Sequence, residues 1–224
     1  MRAPNIVATD RYRAVGLARN PFAARDHDPD APPCFVSRGF DDPPPAGSRT
    51  VVQIIGESGW GKTTHLRHWR IATPGPYHYV PRRPYAARWT APPVDGLVYG
   101  DEIDRMPRPL RRRWLQRLAQ LGATVVIGTH RDLSGVARRA GFEVVTHRLS
   151  EIDRPTLDTI ITARIASVAL DERDPTDRGS TGAPRFAFSD GELARIHAKS
   201  GGSVRDAEVY CHELLAERIL EPLG

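Results

Sequence analysis

Residues 56 to 65 read GESGWGKTTH, and no other stretch of the 224-residue chain restricts its fold as tightly. Gly56, Gly59 and Gly61 lead into Lys62 and Thr63 in the spacing GxxxxGKT. Upstream, TVVQIIG at 50 to 56 is a short apolar run rich in β-branched residues, the profile of a strand buried in a parallel sheet. Downstream, Leu66 and Trp69 fall at helical spacing within 62 to 71. A strand that turns through glycines into a helix can aim several backbone N–H groups at one anion, at the positive end of the helix. The pattern predicts a phosphate-binding loop built from Gly56, Glu57, Ser58, Gly59, Trp60, Gly61, Lys62, Thr63 and Thr64. Lys62 is expected to act as a point charge on the β and γ phosphates of ATP, and the Thr63 hydroxyl to ligate Mg²⁺. Trp60 is bulky where small residues are commoner, so it is expected to pack against neighbouring loops beside the nucleotide or to shield the phosphates from water.

Two more runs, GLVYGD at 96 to 101 and ATVVIG at 123 to 128, have the same buried-strand character. Between them, RPLRRRWLQRLAQLG puts Leu110, Trp114, Leu118 and Leu121 on one helical face, with Pro109 near its start and Gly122 at its stop. Strand, helix, strand implies a parallel sheet with right-handed crossovers. YHYV at 77 to 80 and FEVV at 142 to 145 are weaker candidates that would bring the sheet to five strands. The expected fold class is α/β, a P-loop NTPase with a five-stranded, mostly parallel sheet flanked by helices and followed by a small all-helical lid subdomain.

The domain boundaries follow from composition. Residues 1-49 are expected to form an extended lead-in, because 28 to 49 are too rich in Pro, Gly and Asp for regular structure. Residues 50-150 carry the strand pattern and form the P-loop α/β domain; 151-224 form the helical lid. In that lid, Leu157, Ile161, Ile165 and Val168 mark one helix and SDGE at 189 to 192 is a capping box opening a second. Val204, Ala207, Cys211 and Leu215 mark a third, and the polar stretch 171-184 reads as a mobile loop between helices.

Cys34 and Cys211 stand far apart, with no CxxC and no histidines at zinc-finger spacing, so neither a disulfide framework nor a structural metal is expected. The N-terminus lacks a signal-peptide apolar run and no segment approaches ~20 apolar residues, so a soluble, cytoplasmic protein is expected. The net charge of +5 invites a nucleic-acid reading, but 30 of the 32 basic residues are arginine, a skew that looks like codon bias. The arginines at 111, 112, 113 and 117 are expected mostly on the solvated face of their helix.

A magnesium nucleotide needs a carboxylate at the end of a neighbouring strand, and hydrolysis needs a base near the attacking water. LVYGDEID supplies both: Asp101 for the metal side and Glu102 for the water. The strand ATVVIGTHRD ends in Thr129, a polar residue expected beside Asp101 and the γ phosphate. His130 and Asp132 suggest a catalytic triad, but no serine or cysteine nucleophile accompanies them, so they read as loop residues.

With a P-loop, an Asp-Glu strand end, a polar strand end and a helical lid in this order, the chain resembles an AAA+ ATPase from about residue 15 onward. It is most similar to compact ATPases related to origin-recognition proteins, transposition helpers and secretion-associated ATPases. The matching features are NPF at 20 to 22, GTHRDL at 128 to 133 and SGGSVRDAE at 200 to 208. The resemblance implies that Thr63 and Asp101 are metal-side residues, Glu102 the catalytic glutamate, Thr129 a sensor of the γ phosphate and Arg205 the lid arginine. It also implies that NPF lies near the adenine and that an arginine after Thr129, Arg138 or Arg139, reaches a neighbouring subunit. The short interval between the P-loop and Asp101 and the lack of an obvious aromatic pore-loop motif depart from ring-threading members.

Three functions compete at this point. The first is an Mg-ATP hydrolase that couples turnover to a conformational or assembly switch, through self-association or a partner protein, with nucleic acid a weaker candidate. The second is a nucleotide-gated binding module with negligible turnover. The third is a P-loop kinase for a small molecule, which the glutamate directly after Asp101 argues against, since that position suits the activation of water.

Overall fold

The computed structural model describes residues 11–23, 35–40, 42–82, 96–170 and 186–220. It comprises two compact units: Pro29–Ser150, and Glu151–Gly224 together with Met1–Asp28. The stretch 1-49, read from sequence as one lead-in, is thus divided between the two units. The loop expected at 171-184 lies outside the described residues.

The first unit is a parallel sheet. β1 (Thr50–Ile55), β2 (Tyr77–Tyr79), β3 (Leu97–Asp101), β4 (Thr124–Thr129) and β5 (Glu143–Arg148) form five strands in the order β2-β3-β4-β1-β5. All four pairings are parallel, with Val51 opposite both Val125 and Val144, and Tyr99 opposite both Val126 and Tyr77. β4 therefore separates β1 from β3, so the strand bearing Asp101 is not the immediate neighbour of the P-loop strand.

Side-chain alternation along these strands gives the sheet two cores. On one face, Val52, Ile54, Tyr99 and Val126 pack with Leu66 and Trp69 of α1 (Lys62–Ala72). On the other, Val51, Val98, Val125 and Ile127 pack with α2 (Arg108–Gln120) and α3 (Ser134–Ala140) through Trp114, Leu115, Leu118 and Ala137. The buried face of α2 differs from the expected one. Leu115 fills it and Leu121 falls past the helix end, 38% exposed, because the true stripe follows 111, 114, 115, 118 and 119. Arg111, expected on the solvated face, is buried and donates from Nη1 to the Asp104 carbonyl at 3.1 Å. Residues 35–40 lie against this unit: Phe40 stacks on His65 and His147, with ring centroids 4.7 and 4.4 Å apart.

The second unit is helical, with α4 (Arg154–Ala166), α5 (Asp190–Ser200) and α6 (Val204–Leu220). Asp153 caps α4 by accepting from Thr156 N at 2.9 Å, and Ser189 and Glu192 form the capping box of α5. Leu157, Ile161, Ile165, Ile196, Ala207 and Leu215 are buried. The N-terminal stretch joins them: Leu17 bridges Ala169, and Phe22 packs on Phe188 with centroids 6.0 Å apart. In NPF, Asn20 Oδ1 accepts from Phe22 N at 2.8 Å, so this motif is a side-chain-capped turn of the helical unit. Among the described residues no helix is long and apolar enough to cross a membrane.

Candidate functional site

The loop between β1 and α1 has the backbone that its glycines permit. Gly59 and Gly61 lie at φ 86° and 96°, a region closed to most side chains, and Gly61 occupies the N-cap of α1. Lys62 follows as the first helical residue. Its ammonium donates to the carbonyls of Gly56 at 2.7 Å and Glu57 at 2.9 Å. Burial lowers its pKa, opposed by the nearby carboxylates of Glu102, Asp101, Asp104 and Glu57. Glu57 and Ser58 are exposed, while Thr63 and Thr64 are half-buried at the helix start.

Trp60 lies over the base of the loop. A Cβ at Gly56 would stand 3.3 Å from its ring and 3.0 Å from Leu149 Cβ, and Trp60 packs at the margin of the core containing Leu149. The packing role expected of it is the one its surroundings describe.

Asp101 closes β3 and is buried. Its Oδ2 accepts from Thr63 Oγ1 and from Tyr77 Oη, both at 2.8 Å. Its Oδ1 is buried with no hydrogen-bond partner among the described residues. Burial raises the Asp101 pKa, while the hydroxyls of Thr63 and Tyr77 pull it down. Burial also drives the Tyr77 hydroxyl well above its ordinary range, with Asp101 adding to the shift, so it stays protonated and acts as a donor. Gly128 pairs in register with Asp101, and a Cβ there would stand 2.8 Å from Asp101 Oδ1 and 2.9 Å from Leu66 Cδ1. The glycine keeps that oxygen's surroundings open. A hydroxyl and a carboxylate side by side, with one buried carboxylate oxygen unsatisfied, is a donor set suited to a hydrated Mg²⁺. The residues present fit the ion that the loop sequence implies.

Glu102 adopts the left-handed conformation, φ 59° and ψ 34°. Its Oε2 lies 3.0 Å from His130 Nε2 and 3.1 Å from Arg105 Nη2, close contacts that are not aligned as hydrogen bonds, the second of them an ion pair. Arg105 is itself held by Tyr79 Oη and the Val80 carbonyl, both at 3.3 Å. Thr129 is fully buried at the end of β4, where its hydroxyl donates to the Arg131 carbonyl at 2.9 Å and accepts from Arg131 N at 3.1 Å.

The loop after Thr129 is tied down by a residue that the apolar pattern concealed. Gln53 is fully buried in the middle of β1, and its Nε2 donates to Asp132 Oδ1 at 3.0 Å, Ser134 Oγ at 2.7 Å and Thr146 Oγ1 at 2.8 Å. Its Oε1 accepts from Leu133 N at 2.9 Å. Hydrogen bonds from Ser134 and Gln53 hold the Asp132 carboxyl well below its ordinary range. A lone glutamine in a β-branched run was the available signal. His130 and Asp132 are loop residues as read, but each is engaged: the first with Glu102, the second with Gln53 and Arg148.

The expected arginines fall in different units. Arg139 is exposed in the last turn of α3 in the sheet unit. Arg205 is exposed near the start of α6 in the helical unit, where its charge, with that of Arg164, offsets the burial-raised pKa of Glu208. The structure thus brings Lys62, Thr63, Asp101, Glu102 and Thr129 together at the carboxyl ends of β1, β3 and β4.

No family model matches the sequence. No curated protein matches it either. Solved structures do. Two variants of RuvB from Thermotoga maritima align over 75% of this chain and 55% of theirs, at 17% and 20% identity with TM-scores of 0.53 and 0.52. Another structure of that protein, described as a Holliday junction branch migration motor, aligns at 21% identity with a TM-score of 0.49. PCH-2 of C. elegans aligns over 98% of this chain and 71% of its own at 14% identity, with a TM-score of 0.36 that is too loose to weigh on the fold. The chain spans about half the length of the RuvB chains. Strand order, the loop between β1 and α1, and this likeness agree on one architecture: the chain has the fold of the AAA+ P-loop ATPases.

Proposed function

We propose that this chain is a cytoplasmic Mg-ATP-dependent ATPase that uses hydrolysis to drive a conformational or assembly switch, by self-association or on a partner. One juxtaposition carries the reading: Thr63 Oγ1 stands 2.8 Å from Asp101 Oδ2, while Asp101 Oδ1 is buried without a partner among the described residues. The loop N–H groups and Lys62 would hold the phosphates; the two carbonyls that the ammonium now meets are neutral acceptors, which a triphosphate outcompetes by charge. Thr63 and Asp101 would hold Mg²⁺, which when bound offsets phosphate charge and polarises the γ phosphoryl group. Glu102 would orient the attacking water and accept its proton, and Thr129 would read the γ phosphate. Arg205 would serve as the lid arginine and Arg139 as an arginine offered to a neighbouring subunit's site.

The test is phosphate release and fluorescent-ATP binding by the purified chain, with Lys62→Ala beside it and with DNA or RNA added in a second arm. Loss of most triphosphate affinity in Lys62→Ala is expected, since the only other lysine is Lys199. A wild-type chain that binds no nucleotide would sink the reading. The nucleic-acid arm follows from the description of RuvB as a branch migration motor. Self-association is read from a dilution series. Activity that rises with concentration in the wild type, and no longer does so in Arg139→Ala, supports a shared site.

A binding module with negligible turnover is the second reading, and the contacts of Glu102 Oε2 with His130 and Arg105 favour it, because they occupy the oxygen that would meet an attacking water. Tight ATP binding with turnover no greater than that of Glu102→Gln would select it.

A further inference from the structure

Tyr77 belongs to β2, the edge strand, and nothing in the motif that defines the site points to it. Yet its hydroxyl crosses to the neighbouring strand and donates to Asp101 Oδ2 at 2.8 Å, matching the bond from Thr63 Oγ1. Both donors meet the same oxygen. A carboxylate turns freely about its last torsion unless its oxygens are distinguished. Two O–H donors on Oδ2 fix that torsion and leave Oδ1 undonated in the space that Gly128 keeps open. Thr63 belongs to the P-loop helix that begins at Lys62, and its hydroxyl would be shared with the cation. Tyr77 comes from a different element. It approaches Asp101 from β2, whose register with β3 is set by the backbone pairing of Tyr77 with Tyr99 and Tyr79 with Asp101. The Arg70 guanidinium lies 5.9 Å over its ring, so the side chain is braced on its outer face as well.

Resting on the Mg-ATP reading of this site, we infer that Tyr77 is a positioning residue: its hydroxyl orients the Asp101 carboxylate so that the free oxygen is presented to the hydrated cation of a bound nucleotide. Partners that orient a metal-side carboxylate typically change metal affinity by about 10- to 100-fold when removed. Tyr77→Phe removes the hydroxyl and keeps the ring, so the packing with Arg70 and the strand pairing are retained. Affinity for the bare nucleotide belongs to the loop N–H groups and Lys62, whereas the Tyr77 hydroxyl is spent on Asp101.

The experiment is a fluorescent-ATP binding titration of the full chain, wild type against Tyr77→Phe, first in EDTA and then across Mg²⁺ concentrations, with thermal melting as the check on folding. The expected result is equal affinity in EDTA and a roughly 10-fold higher Mg²⁺ concentration for half-maximal tightening in the variant. Thr63→Ala, which loses a ligand, provides the reference for a larger shift. Identical Mg²⁺ dependence in wild type and Tyr77→Phe overturns the inference, as does an equal loss of affinity in EDTA, which would make Tyr77 a support of the loop. A wild type whose nucleotide affinity ignores Mg²⁺ overturns the reading of the site itself and the inference with it.

Discussion

Glu102 and His130 face each other across the ends of β3 and β4, carboxylate oxygen to ring nitrogen at 3.0 Å, and His130 is the residue directly after Thr129. A displacement of Thr129 would therefore be felt at the glutamate within one residue. Glu102→Gln keeps the shape and removes the base, so ATP binding should persist while phosphate release falls by about 10²- to 10⁴-fold. His130→Ala removes one of the two groups holding the carboxylate, and turnover should rise at unchanged affinity. Steady-state phosphate release and equilibrium binding on the two variants check this. A fall in turnover in His130→Ala would make the histidine a participant in hydrolysis and not a restraint.

Gly128 tests how closely the site is packed. An added methyl would stand 2.8 Å from Asp101 Oδ1 and 2.9 Å from Leu66 Cδ1, contacts that force the carboxylate or the P-loop helix aside. Gly128→Ala should cost about 1–3 kcal/mol of stability and remove most Mg²⁺-dependent tightening of nucleotide binding. Denaturant melts and the Mg²⁺ titration report the two effects separately. An alanine variant with wild-type values in both would show that Oδ1 has room to spare.

Trp60 packs across Gly56 and Leu149 at the base of the loop, whereas Trp69 and Trp114 are buried in the two sheet cores. Binding of Mg-ATP should change the tryptophan emission, and Trp60→Phe should abolish most of the change. A signal that survives in Trp60→Phe would place the reporter elsewhere.

Asp132 makes stability depend on acid. Its folded pKa lies below the unfolded value of about 3.9, so the carboxylate's contribution is fully present above that pH and is lost as pH falls through the folded value. Asp132→Asn should therefore melt earlier than the wild type at pH 7, with the gap closing as the pH is taken down from about 5 to below 3. Thermal melts across that range measure it. A gap independent of pH would mean that the loop is held by Gln53 and Ser134 without help from the charge.

Much of this was local and therefore legible. A GxxxxGKT spacing between an apolar run and a helical one specifies a strand, a turn and a helix within about 25 residues, and the same holds for the capping box, the strand ends and the order of elements. Lys62, Thr63, Asp101, Glu102 and Thr129 were all named from such short patterns, and the strands at 50, 97, 124 and 143 begin within a residue of where the short apolar runs put them. What the pattern could not carry was which strand stands beside which. Only the packed sheet inserts β4 between β1 and β3, and with that insertion Gly128 comes against Asp101, His130 against Glu102, and Tyr77 against Asp101 from the far side. Gln53 shows the same limit. In the sequence it interrupts an apolar run, but in the structure it is the anchor of a loop 79 to 81 residues away. The division of 1-49 between two units has a similar origin, since Phe22 finds its partner at Phe188 and Phe40 its partners at His65 and His147. Backbone propensity and capping act over a few residues and are written in the chain. Hydrogen bonds between buried side chains depend on which surfaces the hydrophobic effect has already brought together, and that is decided only when the sheet closes.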